Sequence, residues 1–115
     1  MSYDLQLRQR RICAHYGASF APSPPHLKLG VSKNLKDGIQ PLNGLRHPPA
    51  GDATGWYIWA GELSNDPAFF MSIPVAEIDR WAPAVVKYLG LPPGWRFLCS
   101  ERHEDVWFDS ALLSV

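Results

Sequence analysis

The sequence predicts an α+β fold, a mostly antiparallel sheet of four to six strands with two short helices packed on one face. Three observations lead there. Gly55-Trp56-Tyr57-Ile58-Trp59-Ala60-Gly61-Glu62 holds four large side chains in a row, three of them aromatic, between glycines; this is the composition of a strand buried on at least one face. Val75, Ile78 and Trp81 recur every third residue behind Pro74, one apolar face of a helix that opens with proline in its first turn. Eleven prolines and nine glycines divide the chain into short elements joined by turns. At 115 residues, with 46% hydrophobic side chains, the chain can bury one core and is read as a single domain over 1–115.

Taken in order, residues 1–12 read as a polar, solvated tail around the basic cluster Arg8-Gln9-Arg10-Arg11, with one helical turn before a short strand through Ile12-Cys13-Ala14. Ala21-Pro22-Ser23-Pro24-Pro25 is a rigid turn or linker. Leu27 to Val31 alternates apolar and polar residues as a strand, and Ser32 to Gly38 is a turn tightest at Asp37-Gly38. Ile39 to Leu45 is the next strand; Pro41 inside it lacks an N–H, which assigns the strand to a sheet edge or a bulge. Arg46 to Thr54 is a loop of breakers that leads into the aromatic strand.

After Glu62, Ser64 or Asn65 caps a short turn starting near Pro67 that tucks Phe69 and Phe70 against the sheet. The first helix then covers Pro74 to Trp81. Pro83 ends or re-caps it, and Ala84 to Leu89 forms the second, stopped by Gly90 in a left-handed cap and by Pro92-Pro93. Trp95 to Cys99 and Asp105 to Asp109 pair as a closing hairpin about Ser100 to Glu104. Each aromatic side chain buries about 150–250 Å², so Trp56, Tyr57, Trp59, Phe70, Trp81, Trp95 and Phe97 are the expected core. The alternative use of Trp56 or Trp59 is an open pocket for a ligand or peptide.

Net charge is zero, but it is divided unevenly. Residues 1–50 carry seven basic side chains against two acidic, and residues 51–115 four against nine. Either the two halves complement each other within one fold, or the acidic part meets a basic partner. The start of the chain has no apolar run behind a basic one, and no window approaches about 18 consecutive apolar residues, so a cytoplasmic protein with no membrane segment is expected. Cys13 and Cys99 are expected as reduced, partly buried thiols. Three arginines in a neutral chain do not argue for a nucleic-acid partner.

Catalytic spacing is largely missing. Gly51, Gly55 and Gly61 do not form a phosphate loop, and His15, His26, His47 and His103 lie on different elements without metal-ligand spacing, so neither metal nor cofactor is expected. Arg102-His103-Glu104-Asp105 sets a histidine beside carboxylates, but on a turn adjacent side chains do not converge on one substrate atom. A small hydrolase using His103 or His47 is therefore an alternative only. Neither cysteine has a neighbouring base to make it a nucleophile.

Val31-Ser32-Lys33, Arg46 ahead of a proline, Gly55-Trp56 leading to Gly61-Glu62, Asp66-Pro67 followed by Phe70, Pro83, and Gly94 followed by Phe97 together resemble the Imm33-like (DUF2185) family of bacterial polymorphic-toxin immunity proteins. The resemblance covers residues 31–97, leaving 1–28 as an N-terminal extension and 98–115 as a C-terminal hairpin. It implies a non-enzymatic protein that binds and neutralises a cognate toxin or effector. A rigid scaffold with a charged surface suits that task, because electrostatic steering raises association rates and selects the partner. If the toxin is basic, Glu62, Asp66, Glu101, Glu104, Asp105 and Asp109 are the candidate partner-binding residues.

Overall fold

The Trp56 to Trp59 run folds as the strand its composition predicts, and the sheet is assembled around it. In the computed structural model, which describes residues 3–114, strand β3 (Ala53–Ala60) lies between β1 (Lys28–Ser32) and β2 (Leu42–Arg46). Strand β4 (Phe70–Pro74) adds outside β1, β5 (Trp95–Ser100) outside β2, and β6 (His103–Phe108) outside β5. The order is β4-β1-β3-β2-β5-β6, and every neighbouring pair is antiparallel except β1 with β3. Helix α1 (Tyr3–Tyr16), helix α2 (Ile78–Trp81) and 3-10 turns at Leu35–Asp37, Val75–Glu77 and Pro83–Tyr88 supply the other layer. The architecture is the expected α+β fold with a mostly antiparallel sheet.

Strand alternation decides what is core. Trp56, Ile58 and Ala60 point into the helical layer, where they meet Leu29, Val31, Ile73 and Phe97 from neighbouring strands. Cys13 of α1 and Val75, Ile78, Val85, Val86, Tyr88, Leu89 and Leu91 close over them. Phe97 stacks on Tyr88 with ring centroids 4.3 Å apart, and its ring lies directly over Gly44 of β2, where a Cβ would collide with it. Trp81 and Trp95 are half-buried against this cluster. Tyr57 and Trp59, one residue out of phase with Trp56, belong to the opposite face of the sheet. Tyr57 is 40% exposed there, so it is not a core residue as expected, while Trp59 is buried by its neighbours on that face.

Four local expectations are corrected. Residues 3–16 are one helix of 14 residues, not a solvated tail and a short strand. Its buried seam is Gln9 and Cys13, one turn apart; Gln9 Nε2 donates to the Val86 carbonyl at 2.8 Å and Cys13 Sγ to the Gly90 carbonyl at 3.3 Å. A helix docked through polar atoms leaves little apolar periodicity to read. Strand β2 is interior rather than an edge, because it begins at Leu42 and leaves Pro41 just outside the ladder. Phe70–Pro74 is an edge strand paired with β1, not part of a turn and a helix start. The Pro83–Tyr88 turn ends at Leu89 in a right-handed conformation, and Gly90 is not among the left-handed glycines.

Candidate functional site

Helices α1 and α2 and the three 3-10 turns named above cover one side of the sheet; the other face, apart from the 3-10 turn at Ser110–Leu113 whose Leu112 carbonyl meets His47, is left to its own side chains. It carries a groove of about 830 Å³, open along its length and walled by Tyr57, Trp59, Leu63, Phe70, His47 and Leu45. An irregularity in the β1–β3 pairing shapes its floor. Lys28 faces Ala53 and Gly30 faces Tyr57, so two residues of β1 span four of β3 and the β3 backbone bulges at Thr54-Gly55. Gly55 has φ +93, and a Cβ there would strike the His47 carbonyl, so only glycine makes this crossing. The Thr54 hydroxyl donates to the Lys28 carbonyl at 2.9 Å and fixes the bulge.

The aromatic wall is held in place by edge-to-face contacts. Tyr57 lies against Gly30, where a Cβ would be 2.9 Å from its ring. Its ring meets Phe70 at 5.1 Å and His47 at 5.8 Å, and Phe70 in turn meets Trp59 at 6.2 Å and Phe69 at 5.0 Å. Such pairs add about 0.5–1.5 kcal/mol each beyond the area they bury, so the wall is rigid before any partner arrives. His47 Nδ1 lies 3.0 Å from the Leu112 carbonyl. A carbonyl only accepts, so Nδ1 carries the proton and Nε2 of the neutral ring keeps its lone pair.

On the helical side of the sheet next to His47 sits Arg46, 4% exposed and without a carboxylate partner among the described residues. Its Nε donates to the Thr54 carbonyl at 2.9 Å and Nη1 to those of Ala21 and Leu91 at 2.8 Å each, while its guanidinium lies 5.7 Å from the Trp56 ring. Burial lowers its pKa to about 10, which leaves it charged at neutral pH. One side chain thus ties the 17–25 segment, the β3 bulge and the 89–94 turn together.

The acidic residues singled out in the sequence do not form one patch. Glu62 and Asp66 follow the end of β3, and Glu101 lies at the β5–β6 turn beside Gln40; the strand registers bring these ends to the same side of the sheet. Asp105 points to the open face and pairs with His103 at 2.8 Å. Asp109 is at the opposite end of β6, where it bonds the Ala111 N–H and pairs with Arg96 at 3.3 Å. Glu104 faces the helices: Tyr88 and Tyr16 hydroxyls donate to its two oxygens at 2.5 and 2.6 Å, with Lys87 at 3.5 Å. Burial alone would raise its pKa, but the two phenols and Lys87 outweigh that and hold it below the ordinary carboxylate value.

His103 and His47 stand at opposite ends of the sheet, since β6 begins beside the start of β2 and His47 follows its end. Burial pushes the Cys13 and Cys99 thiols up, away from the thiolate form. Among the described residues no three His, Cys, Asp or Glu side chains stand close enough to share a metal ion, and no helix is long and apolar enough to cross a membrane. The sequence reading missed His47, Leu45, Leu63 and Lys28 as groove residues. The signal was present in β3, whose large side chains fall on both faces while the predicted helices cover one.

A family model described as Imm33-like domain matches residues 8–109, which extends the likeness beyond 31–97 to take in most of α1 and all of β6. No curated protein and no solved structure matches the chain.

Proposed function

Because the chain belongs to the Imm33-like family, we propose that it is an immunity protein: it binds a cognate bacterial toxin or effector in the cytoplasm and neutralises it by occupation, without catalysis. The family match over residues 8–109 is the observation that supports this reading. The scaffold suits it. A sheet backed by one helical layer and tied by Arg46 offers a surface that loses little freedom on binding, and pre-organisation of this kind lowers the entropic cost of association.

Glu62, Asp66, Glu101 and Asp105 are the carboxylates placed to steer a basic toxin, whereas Glu104 and Asp109 serve the fold itself through Tyr16, Tyr88 and Arg96. Steering of this type raises association rates and weakens with salt. Against a hydrolase built on His103 or His47, the hydrogen bond of the His103 ring goes to Asp105 and that of the His47 ring to the Leu112 carbonyl, and among the described residues neither ring is bonded to a hydroxyl or thiol that it could activate.

The test is co-expression with the product of the adjoining reading frame, together with calorimetry against a catalytically inactive form of that product. Restored growth and a saturable complex are expected. No protection and no binding reject the reading.

A further inference from the structure

We infer that the open aromatic groove is the surface that receives the partner, and that its occupant is a protein segment presenting an aromatic or aliphatic side chain next to a lysine or arginine. The inference rests on the immunity reading for the identity of that partner, but the groove's chemistry is argued independently.

The first argument is apolar surface. Tyr57 and Leu63 are 40% and 56% exposed at the groove, on the side of the sheet away from the helical core, and Phe70 is half-buried beside Tyr57. A groove of about 830 Å³ falls within the range of about 300–1,000 Å³ that takes drug-sized groups or a few side chains. Its aromatic wall is already fixed by the contacts to Gly30, Phe70 and His47. Rigid, amphipathic aromatics with ordered rings are what the centres of protein interfaces are made from.

The second argument is charge, and it selects the occupant. At one end the groove closes on Lys28 and Asp52, which are 3.9 Å apart and neutralise each other. At the other end, Leu63 of the wall sits in the 61–69 loop between Glu62 and Asp66, and neither carboxylate has a cationic partner among the described residues. Asp66 Oδ1 accepts from the Ala68 N–H at 2.9 Å, which orders the loop without cancelling its charge. The rim at that end is therefore negative beside an apolar floor, and a segment with a cation adjacent to its anchor complements both. In the neutral ring, with Nδ1 bonded to the Leu112 carbonyl, His47 Nε2 adds one place for an N–H donor of the occupant.

The experiment uses the full chain and a phage library of random twelve-residue peptides, selected on the wild type. Clones enriched on the wild type are expected to combine Trp, Phe or Leu with Lys or Arg. Their binding is expected to fall at least tenfold on Leu63→Asp and on Tyr57→Ala, and severalfold on Glu62→Lys/Asp66→Lys, with Asp79→Lys as a control that leaves it unchanged. Leu63 is exposed enough for its substitution to spare the fold, which thermal unfolding checks. The same variants are then titrated with the inactive toxin. No enrichment, or enriched peptides that bind Leu63→Asp and Tyr57→Ala as tightly as the wild type, overturns the groove assignment; peptides without basic residues overturn the charge assignment. A toxin that binds wild type and groove variants alike rejects the groove as its docking surface and leaves the immunity reading standing. A groove that selects basic-aromatic peptides on a protein that binds no toxin rejects the immunity reading instead.

Discussion

Tyr88 donates its hydroxyl proton to Glu104 across the gap between the helical layer and the edge strand, at 2.5 Å. With Tyr16 on the second oxygen, the carboxylate holds α1, the Pro83–Tyr88 turn and β6 at one point, and its ionisation becomes a term in the stability of all three. Glu104 has a folded-state pKa below its ordinary value. Its contribution is therefore present above the unfolded pKa, about 4.3, and lost as pH falls through the lower folded value. Glu104→Gln is expected to cost about 1–2 kcal/mol at pH 7 and much less at pH 3, measured by urea unfolding at both pH values.

The phenols report the same contact from the alkaline side. Hydrogen bonding to Glu104 raises the Tyr16 pKa to about 12, and burial, then Glu104, raises that of Tyr88 further. A raised folded pKa means that this stabilisation is complete below about pH 10 and is lost as pH rises through the folded value. Absorbance titration is expected to show one phenol ionising near 12 and another only on unfolding. In Glu104→Gln the first of these moves down.

Arg46 is buried and donates its hydrogen bonds to carbonyls, so removing it strands acceptors that water cannot reach. Arg46→Ala is expected to destabilise the protein by about 3 kcal/mol or more, since each orphaned buried acceptor costs about 1–3 kcal/mol. Arg46→Lys keeps the charge but not the fork that spans Thr54, Ala21 and Leu91, so most of the loss should persist. Chemical denaturation of the two variants checks both statements, and recovery by lysine would show that charge alone matters.

Gly44 and Phe97 are coupled by contact. Gly44→Ala places a methyl group in the space of the Phe97 ring, which cannot retreat because it is stacked on Tyr88. Overpacking of this kind costs about 1–3 kcal/mol. In Gly44→Ala/Phe97→Leu the two effects are expected to be less than additive, measured by a double-mutant cycle.

The thiols give a further measure of closure. Cys13 and Cys99 are buried and held in the neutral form by desolvation, and the thiolate is the reactive species. A disulfide-exchange reagent such as DTNB is expected to label neither at an appreciable rate in the native protein and both promptly in denaturant. Rapid native labelling of Cys13 would mean that α1 detaches readily.

What could be read from the sequence was whatever local pattern governs. The alternation of Trp95 to Cys99, its pairing with the strand ending near Asp109, and the aromatic strand between glycines are short-range features, and each is where the sequence predicts it. Long-range polar contacts were out of reach. Glu104 reads as a solvated turn residue because its two phenol partners lie 16 and 88 positions away, and Gln9 and Cys13 reach acceptors 77 positions downstream. Pro41 misled in a different way: it stands immediately before β2, where a missing N–H costs the ladder nothing, and so says nothing about whether the strand is an edge. Tyr57 shows that counting aromatics as core fails where alternate residues of one strand serve two faces. That is also why the groove was not visible as a site.

The docking of α1 has a consequence for the order of events during synthesis. The helix leaves the ribosome well before the carbonyls of Val86 and Gly90 that anchor it, and a 14-residue segment is marginal as an isolated helix. Until the Pro83–Tyr88 turn exists, the helix lacks the surface that its buried seam docks on. Its outward arginines, Arg8 and Arg11, keep the waiting segment hydrated and make it a poor partner for the nascent strands, so a helix made before its anchors is set in place only after them.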